Sequence, residues 1–149
     1  MEMQPAQLAA LRILAQRRLT EAQLWSRLER KGFPDAAIAA AVESCKRDGY
    51  LDDKLYAELY VHGARKAVGD SRLVAALIAK GIDPQTARTS VSAAPSGERD
   101  RCVTALESLE HRRPGIGYPS AARALERLGF PASLIYSILR GRIGTSSVS

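Results

Sequence analysis

One short sequence pattern occurs three times in this chain at nearly constant spacing. Its copies read LERKGFP at residues 28–34, LIAKGIDP at 77–84 and LERLGFP at 125–131. Their first residues lie 49 and then 48 positions apart. A steady period of this length is the signature of a tandem array, in which one supersecondary unit is repeated and stacked. The repeat therefore restricts the fold to a series of similar units.

Each copy of the pattern carries a glycine where a helix is expected to end: Gly32, Gly81 and Gly129. Glycine adopts the left-handed conformation of a helix C-terminus at little cost. The Phe or Ile that follows can fold back onto the last turn. The proline one or two residues later suits the start of another helix, because its missing N–H would be unpaired there. Each repeat is thus predicted to hold a helix, a glycine turn and a second helix.

A further helix is predicted ahead of each pair, from apolar residues at helical spacing. These residues are Leu8, Leu11 and Leu14 in the first repeat, Leu55, Leu59 and Val61 in the second, and Val103, Leu106 and Leu109 in the third. The run from Thr20 to Gln23 reads as a capping box that opens the next helix. No segment alternates apolar and polar residues with a period of two, so no strands are expected.

The predicted fold is all-α, with three tandem three-helix repeats that form an elongated, curved array. The repeats are expected at residues 1–51, 52–94 and 98–141, followed by a flexible tail at 142–149. The best linker, Ala93–Gly97, separates the second repeat from the third. Units this small bury their apolar faces poorly on their own, so neighbours should stack.

The charge balance favours an anionic partner. The chain has 22 Lys plus Arg against 16 Asp plus Glu, a formal net charge of +6. Such an excess suits contact with phosphate or with an acidic protein groove. Many basic proteins bind no nucleic acid, so charge alone does not decide whether this chain binds one.

The cysteines and the N-terminus predict a cytoplasmic protein. Cys45 and Cys102 are isolated, without Cys-x-x-Cys spacing or nearby histidines, so neither a disulfide framework nor a zinc site is expected. The N-terminus lacks the basic flank and following apolar segment of a secretion signal, and no apolar stretch approaches the roughly 18 residues of a membrane span. The sequence contains neither a phosphate-binding Gly-x-x-x-x-Gly-Lys loop nor a Gly-x-Ser-x-Gly elbow. We therefore predict a non-enzymatic protein with no catalytic residues, cofactor or metal.

Three stretches together resemble the RecX family of recombination regulators. The first is Leu-x-x-Lys-Gly-Phe at 28–33. The second is Asp-Gly-Tyr-Leu-Asp-Asp at 48–53, continued by Tyr56, Ala57, Tyr60 and Val61. The third is Gly-Asp-Ser-Arg-Leu at 69–73, followed by Leu77 and Lys-Gly-Ile at 80–82. The third repeat matches mainly through Leu-x-x-Leu-Gly-Phe at 125–130, with Leu128 where the earlier copies carry lysine.

This resemblance implies a function that composition could not supply. Proteins similar to this one bind RecA filaments on single-stranded DNA and lie along the helical groove of the filament. There they limit ATP hydrolysis, strand exchange and repressor cleavage, which places them in DNA repair, recombination and the SOS response. A long concave array of helical units is physically suited to following such a groove. The expected partners are the RecA filament and single- or double-stranded DNA, bound by a monomer.

Basic side chains are the candidate contacts with RecA or DNA. Arg72 is the best single candidate, because it lies at the start of a helix, where a cation gains nothing from the dipole. Lys31 and Lys80 occupy equivalent helix ends, where they either complement the dipole or form a row along one face. The remaining candidates are clustered basic residues, which are often only solvated: Arg65 with Lys66, Arg27 with Arg30, and Arg112 with Arg113.

Two other functions stay open from the sequence. The chain could be a DNA-binding module that acts without RecA, or a helical scaffold for an unknown acidic protein. The segment Pro114–Ala121 resembles the hairpin of helix-hairpin-helix modules, where glycines let backbone N–H groups reach a phosphate. A plain connector between two helices explains the same segment more simply.

Overall fold

The computed structural model describes residues 3–63 and 67–146, with side chains up to residue 142. Within these ranges the chain forms nine helices and no strand. Their bounds are α1 Pro5–Gln16, α2 Glu21–Arg30, α3 Asp35–Arg47, α4 Asp53–His62, α5 Asp70–Ala79, α6 Pro84–Ser92, α7 Glu98–Arg112, α8 Tyr118–Arg127 and α9 Ala132–Ser146. The predicted all-α fold is confirmed.

The buried apolar residues form three clusters, one for each group of three helices. The first cluster runs from Ala6 to Leu51, the second from Ala57 to Val91 and the third from Cys102 to Leu139. We call α1–α3 the first unit, α4–α6 the second unit and α7–α9 the third unit. Helix α9 continues to Ser146, past residue 142 where the predicted tail begins, and residues 147–149 lie outside the described ranges. The exact division into domains stays a prediction.

The large accessible surface agrees with an elongated stack. It amounts to 9461 Å², whereas a compact monomer of 16.1 kDa would expose about 7400 Å². The described hydrogen bonds between units join the first to the second and the second to the third. The units are therefore arranged in series along the chain.

The three glycine turns share one backbone geometry, as the repeat predicts. Gly32, Gly81 and Gly129 have φ angles of 91°, 94° and 93°. In each turn, the N–H of the following Phe or Ile donates to the carbonyl oxygen five residues earlier: Leu28, Leu77 or Leu125. These bonds pair carbonyl groups that the helix end would leave without a partner. The sequence therefore ends α2, α5 and α8 in the same way.

The predicted capping box at the start of α2 also joins two units. The Thr20 hydroxyl accepts a hydrogen bond from the Gln23 N–H, and the Gln23 side chain accepts one from the Thr20 N–H. The same Thr20 hydroxyl donates to the Lys80 carbonyl oxygen at 2.6 Å. Next to it, the Glu21 N–H donates to Asp53 Oδ1 at 2.8 Å. We call this contact between α2 and the second unit the first junction.

An equivalent contact, the second junction, joins the start of α5 to the third unit. The Gly69 N–H donates to the Leu128 carbonyl oxygen at 2.9 Å, and the Asp70 N–H donates to Glu98 Oε2 at 2.7 Å. Gly69 and Leu128 occupy the repeat positions of Thr20 and Lys80 at the first junction. The half-buried Arg101 side chain strengthens this contact by pairing with Asp70 and donating to the Val68 carbonyl oxygen. The array is thus assembled by one contact used twice.

We expect Thr20→Val to lower the free energy of unfolding by about 2 kcal/mol, because it removes a helix cap and an interunit hydrogen bond together. Thr20 is completely buried, and valine keeps its shape without the hydroxyl. The matched variant Thr20→Ser keeps the hydroxyl and loses only a methyl group, at a cost of about 1 kcal/mol. Urea unfolding followed by circular dichroism measures both. A Thr20→Val chain as stable as the parent chain would show that the hydroxyl contributes nothing.

Candidate anion-binding grooves

A groove on the third unit is lined by four arginines. It has a volume of about 790 Å³ and runs between α7 and α8, with one wall from the start of α5. Two hydroxyl groups, from Thr104 and Ser108, also line it. The described lining includes no acidic residue. We call this the third-unit groove, and its arginines are Arg72, Arg112, Arg113 and Arg127.

The carbonyl groups at the end of α8 are occupied by donors from the second unit. Arg72 Nη1 donates to the Arg127 carbonyl oxygen at 2.5 Å, and the Ser71 hydroxyl donates to that of Gly129 at 3.0 Å. Between them, the Leu128 carbonyl oxygen accepts from the Gly69 N–H. Free carbonyls at a helix C-terminus would repel an anion. Because these carbonyl oxygens are hydrogen-bonded here, they repel an anion less, and the positive charge of the arginines is less opposed.

A second groove, on the first unit, is also lined by four cations. It has a volume of about 430 Å³ and lies between α1 and α2. The other lining residues are apolar or neutral, and no acidic side chain is among those described. We call this the first-unit groove, and its cations are Arg12, Arg27, Arg30 and Lys31.

The two grooves are formed by equivalent positions of two repeats. The α1 residues Ala9, Arg12, Ile13 and Gln16 lie 96 positions before the α7 residues Ala105, Ser108, Leu109 and Arg112. At the end of α2, Arg27, Arg30 and the C-cap residue Lys31 lie 97 positions before Ala124, Arg127 and the C-cap residue Leu128 at the end of α8. Among the cations, only the pair Arg30 and Arg127 keeps the same residue type. Both grooves are therefore positively charged, although most of their cations occupy different positions of the repeat.

The groove cations carry no ion pair with any residue that the structure describes. The ion pairs in the described part of the chain join residues outside the grooves: Lys46 to Glu21, Arg101 to Asp70, and Arg142 to Glu107 and Glu110. Charges that no carboxylate neutralises are available to an external anion. The guanidinium group is well suited to this, because its planar fork binds the two oxygens of a phosphate or a carboxylate.

The grooves bring together six of the nine residues predicted from the sequence. Arg72, Arg112 and Arg113 line the third-unit groove, and Arg27, Arg30 and Lys31 line the first-unit groove. Lys80 lies elsewhere, with Nζ 5.5 Å from the centre of the Tyr60 ring, at a distance typical of a cation–π contact. Arg65 and Lys66 fall outside the described residues.

Two groove residues, Arg12 and Arg127, were missed by the sequence reasoning. Arg127 was detectable, since it lies one double repeat beyond Arg30 in the aligned pattern. Arg12 gave no such signal, because its helix carries no repeated motif and the facing residues come from α2. The segment after α7, which resembled a DNA-binding hairpin, connects α7 to α8. There Ile116 packs against the third core and its N–H donates to the Arg113 carbonyl oxygen.

The described residues offer little for catalysis or metal binding. Burial raises the pKa of the Cys102 thiol to about 11, with the Glu98 carboxylate adding to the rise, so this thiol is protonated at neutral pH. Burial also raises the pKa of Cys45. No group of three or more His, Cys, Asp or Glu residues that could hold a metal ion occurs in the described ranges. In those ranges, no helix has the length and apolar character needed to cross a membrane.

Comparisons with known proteins agree on one family. The family model for the first three-helix domain of RecX matches residues 6–45. The regulatory protein RecX of Thermobifida fusca is 29% identical over 96% of this chain and 81% of its own length. RecX of Thermus thermophilus is 30% identical over 82% of this chain and 81% of its own length.

Solved structures agree on the fold. The crystal structure of RecX from Lactobacillus salivarius superimposes with a TM-score of 0.80, covering 91% of this chain and 93% of that one at 22% identity. A second crystal structure of a regulatory protein RecX gives a TM-score of 0.78. On the identity and coverage shared with the Thermus protein and the common helical fold, the chain belongs to the RecX family.

Proposed function

We propose that this chain is a non-enzymatic modulator of RecA, mainly an inhibitor, that binds along the groove of the RecA filament on single-stranded DNA. There it limits ATP hydrolysis, strand exchange and repressor cleavage, in the cytoplasm and as a monomer. The observation that carries the proposal is membership of a family whose members are named regulatory proteins and align over most of their length.

The serial arrangement of the units supports this proposal physically. A RecA filament presents the same surface again with each subunit, and an array of repeated units can contact several subunits at once. The two junctions use equivalent contacts, so the units follow one another in a regular way. Several weak contacts on a linked array combine into tight binding through effective concentration.

The test is the DNA-dependent ATPase of RecA, measured with increasing amounts of this chain. We expect hydrolysis to fall several-fold at substoichiometric to near-stoichiometric ratios, because each bound array covers more than one RecA subunit. The chain should act on filaments assembled before it is added. Unchanged hydrolysis over a broad range of ratios would refute the proposal.

A second candidate function is direct DNA binding without RecA, and the two basic grooves favour it. This candidate would also slow the ATPase, by sequestering the DNA. Added single-stranded DNA separates the two. Excess DNA should restore hydrolysis if the chain only competes for DNA, whereas inhibition should persist if the chain binds the filament.

A further inference from the structure

We propose that a groove between α5 and α6 of the second unit binds an aromatic side chain of a partner protein, together with a carboxylate next to it on the same partner. None of the residues that line this α5–α6 groove lines either basic groove. The inference does not rest on the proposed action on RecA. It assigns a further site to the array and a chemical class to its ligand.

The walls of the α5–α6 groove are mainly apolar. Its volume is about 470 Å³, and its apolar lining residues are Val74, Ala75, Ile78 and Val91. Ile78 is 40% exposed, although it lies within the groove. Exposed apolar surface is unfavourable in water, and a bound apolar group would cover it. Apolar sites with a few polar groups and about this volume are typical of places where small ligands or single side chains bind.

In the first unit, the position equivalent to Val74 carries an aromatic ring. Val74 follows Trp25 by 49 residues, which is also the offset between Leu28 and Leu77 in the repeated pattern. Trp25 is half-buried and packs against the apolar core of the first unit. The second unit has the smaller valine there, and at that place it has a groove.

The third unit also carries aromatic rings at positions equivalent to the groove. Tyr118 and Tyr136 follow Asp70 and Arg88 by 48 residues, and the latter two line the α5–α6 groove. The two tyrosine rings stack between α8 and α9, with centroids 6.0 Å apart and planes at 19°. The first and third units thus supply their own rings at this face, and the second unit supplies none. A ring from a partner would complete the same arrangement in the second unit.

The charged residues of the groove favour a carboxylate beside the ring. Asp70 is paired with Arg101, and the hydroxyl of the neighbouring Ser71 donates to the Gly129 carbonyl oxygen. Arg88 is exposed and has no hydrogen bond or ion pair with any residue that the structure describes. A guanidinium group binds both oxygens of a carboxylate and also stacks on aromatic rings. The charge that the groove offers to a ligand is therefore positive.

An aromatic side chain fits this groove better than a nucleic-acid base. Proteins hold unpaired bases largely by stacking them on aromatic side chains, and the described lining of the groove contains none. The edges of a base also carry several polar atoms, which need partners when they are buried. The apolar walls offer few. Aromatic side chains have at most one such atom, and they are the usual anchors of protein interfaces.

The experiment compares three variants of the full chain. Val74→Trp gives the second unit the residue that the first unit has at this position, so its own ring should fill the groove. The matched control, Ala40→Trp, adds a ring at an exposed position of α3 outside the groove. Arg88→Gln removes the unpaired charge at an exposed position and leaves the groove open. Protection of the buried Cys45 and Cys102 from a thiol reagent verifies that each variant is folded.

The probes are short acetylated and amidated peptides with Trp-Glu, Trp-Gln or Ala-Glu between glycine and serine residues. They are added to the isotope-labelled chain without RecA or DNA, and binding is followed by NMR. We expect the Trp-Glu peptide to shift the methyl signals of Val74, Ala75, Ile78 and Val91, because the ring current of the bound indole acts on nearby methyl groups. These shifts identify the site as well as the affinity.

The affinities should follow the two parts of the ligand. The Ala-Glu peptide should bind the parent chain at least about tenfold more weakly than Trp-Glu, because the anchor is lost. The Trp-Gln peptide should bind about two- to fivefold more weakly, as expected for the loss of an exposed ion pair. Val74→Trp should bind Trp-Glu at least about tenfold more weakly than the parent, and Ala40→Trp should bind it equally well. In Arg88→Gln, the Trp-Glu and Trp-Gln peptides should bind equally.

Four results would overturn the inference. One is the absence of any methyl shift at millimolar peptide. Another is equal binding of Trp-Glu and Ala-Glu, which would mean that charge alone holds the peptide. The third is the same set of methyl shifts with an oligothymidylate, which would assign the groove to a base. The fourth is a concentration-dependent dimer of the parent chain in sedimentation that Val74→Trp abolishes, which would assign the groove to a second copy of the chain.

Discussion

Gly69→Ala is expected to release the third unit from the second while both units remain folded. A β-carbon at this position would lie 2.1 Å from the Gly129 carbonyl oxygen and 2.3 Å from its carbon. These are backbone atoms that cannot rotate away, so the second junction must open. Opening breaks the hydrogen bonds of Gly69, Ser71 and Arg72 to the end of α8, which together are worth about 3 kcal/mol, and also the contacts of Asp70 with Glu98 and Arg101. Each unit keeps its own apolar core, so we expect both to remain folded, with the third unit less stable once it is released.

The two buried cysteines allow the units to be followed separately. Cys45 belongs to the first core and Cys102 to the third. In the parent chain, coupling between neighbours should make both thiols react with a labelling reagent over one range of urea concentration. In Gly69→Ala, Cys102 should become reactive at a lower urea concentration, and Cys45 should change little. Mass spectrometry of pulse-labelled protein measures both residues in one sample.

Gly97→Ala is a close control for this variant. Gly69 and Gly97 are both N-cap residues, with φ and ψ of −72° and 162° in one and −71° and 166° in the other. A β-carbon on Gly97 would meet no atom within 4 Å. The two substitutions therefore have the same backbone cost and differ in the contact with Gly129. If Cys102 responded identically in both variants, the second junction would have no part in stability.

The same pair of variants tests whether regulation needs a fixed arrangement of units. If the chain inhibits RecA by contacting several filament subunits together, Gly69→Ala should raise the concentration needed for inhibition. Freeing one unit lowers the effective concentration of its contacts. Gly97→Ala should inhibit like the parent chain.

The local part of the fold could be predicted from the sequence because its causes are local. The capping box at Thr20 and the left-handed turns at Gly32, Gly81 and Gly129 depend on residues within one helix end. The repeat then gives the glycine turn three times, whereas the capping box occurs only at α2, since α5 and α8 begin at glycines without a side-chain cap. All-helical units in series follow directly from this pattern.

The junctions could not be predicted, because they depend on which surfaces of two units meet. In the sequence, Gly69 is an ordinary residue before a helix, and nothing indicates that it contacts Gly129. Arg72 stood out as a candidate for an external partner, yet its guanidinium donates to a carbonyl of the next unit. Six groove cations could be predicted from their clustering in the sequence and their helix positions. Arg12 could not, because its place in the groove depends on how α1 packs on α2.

The three turn glycines should differ in their tolerance of alanine, although their backbone angles agree. At Gly32 a β-carbon would meet nothing within 4 Å, so Gly32→Ala costs only the left-handed strain, about 1–2 kcal/mol. At Gly81 it would lie 2.3 Å from the β-carbon of Ala22 across the first junction. Gly81→Ala should therefore cost a further 1–3 kcal/mol or so from overpacking. Urea unfolding of the two variants measures the difference.

A second substitution can remove the clash and leave the strain in place. In Gly81→Ala/Ala22→Gly the β-carbon of residue 22 is absent, and the next atoms near residue 81 are Thr20 Oγ1 at 3.6 Å and the residue 22 α-carbon at 3.7 Å. Both distances are ordinary contacts. Ala22→Gly alone should cost up to about 1 kcal/mol, since glycine is a poor helix residue. The double variant should nevertheless be more stable than the sum of the single changes by about 1–2 kcal/mol, because the two residues touch. Additive costs in this double-mutant cycle would mean that the first junction does not press Gly81 against α2, and that the array is held together in another way.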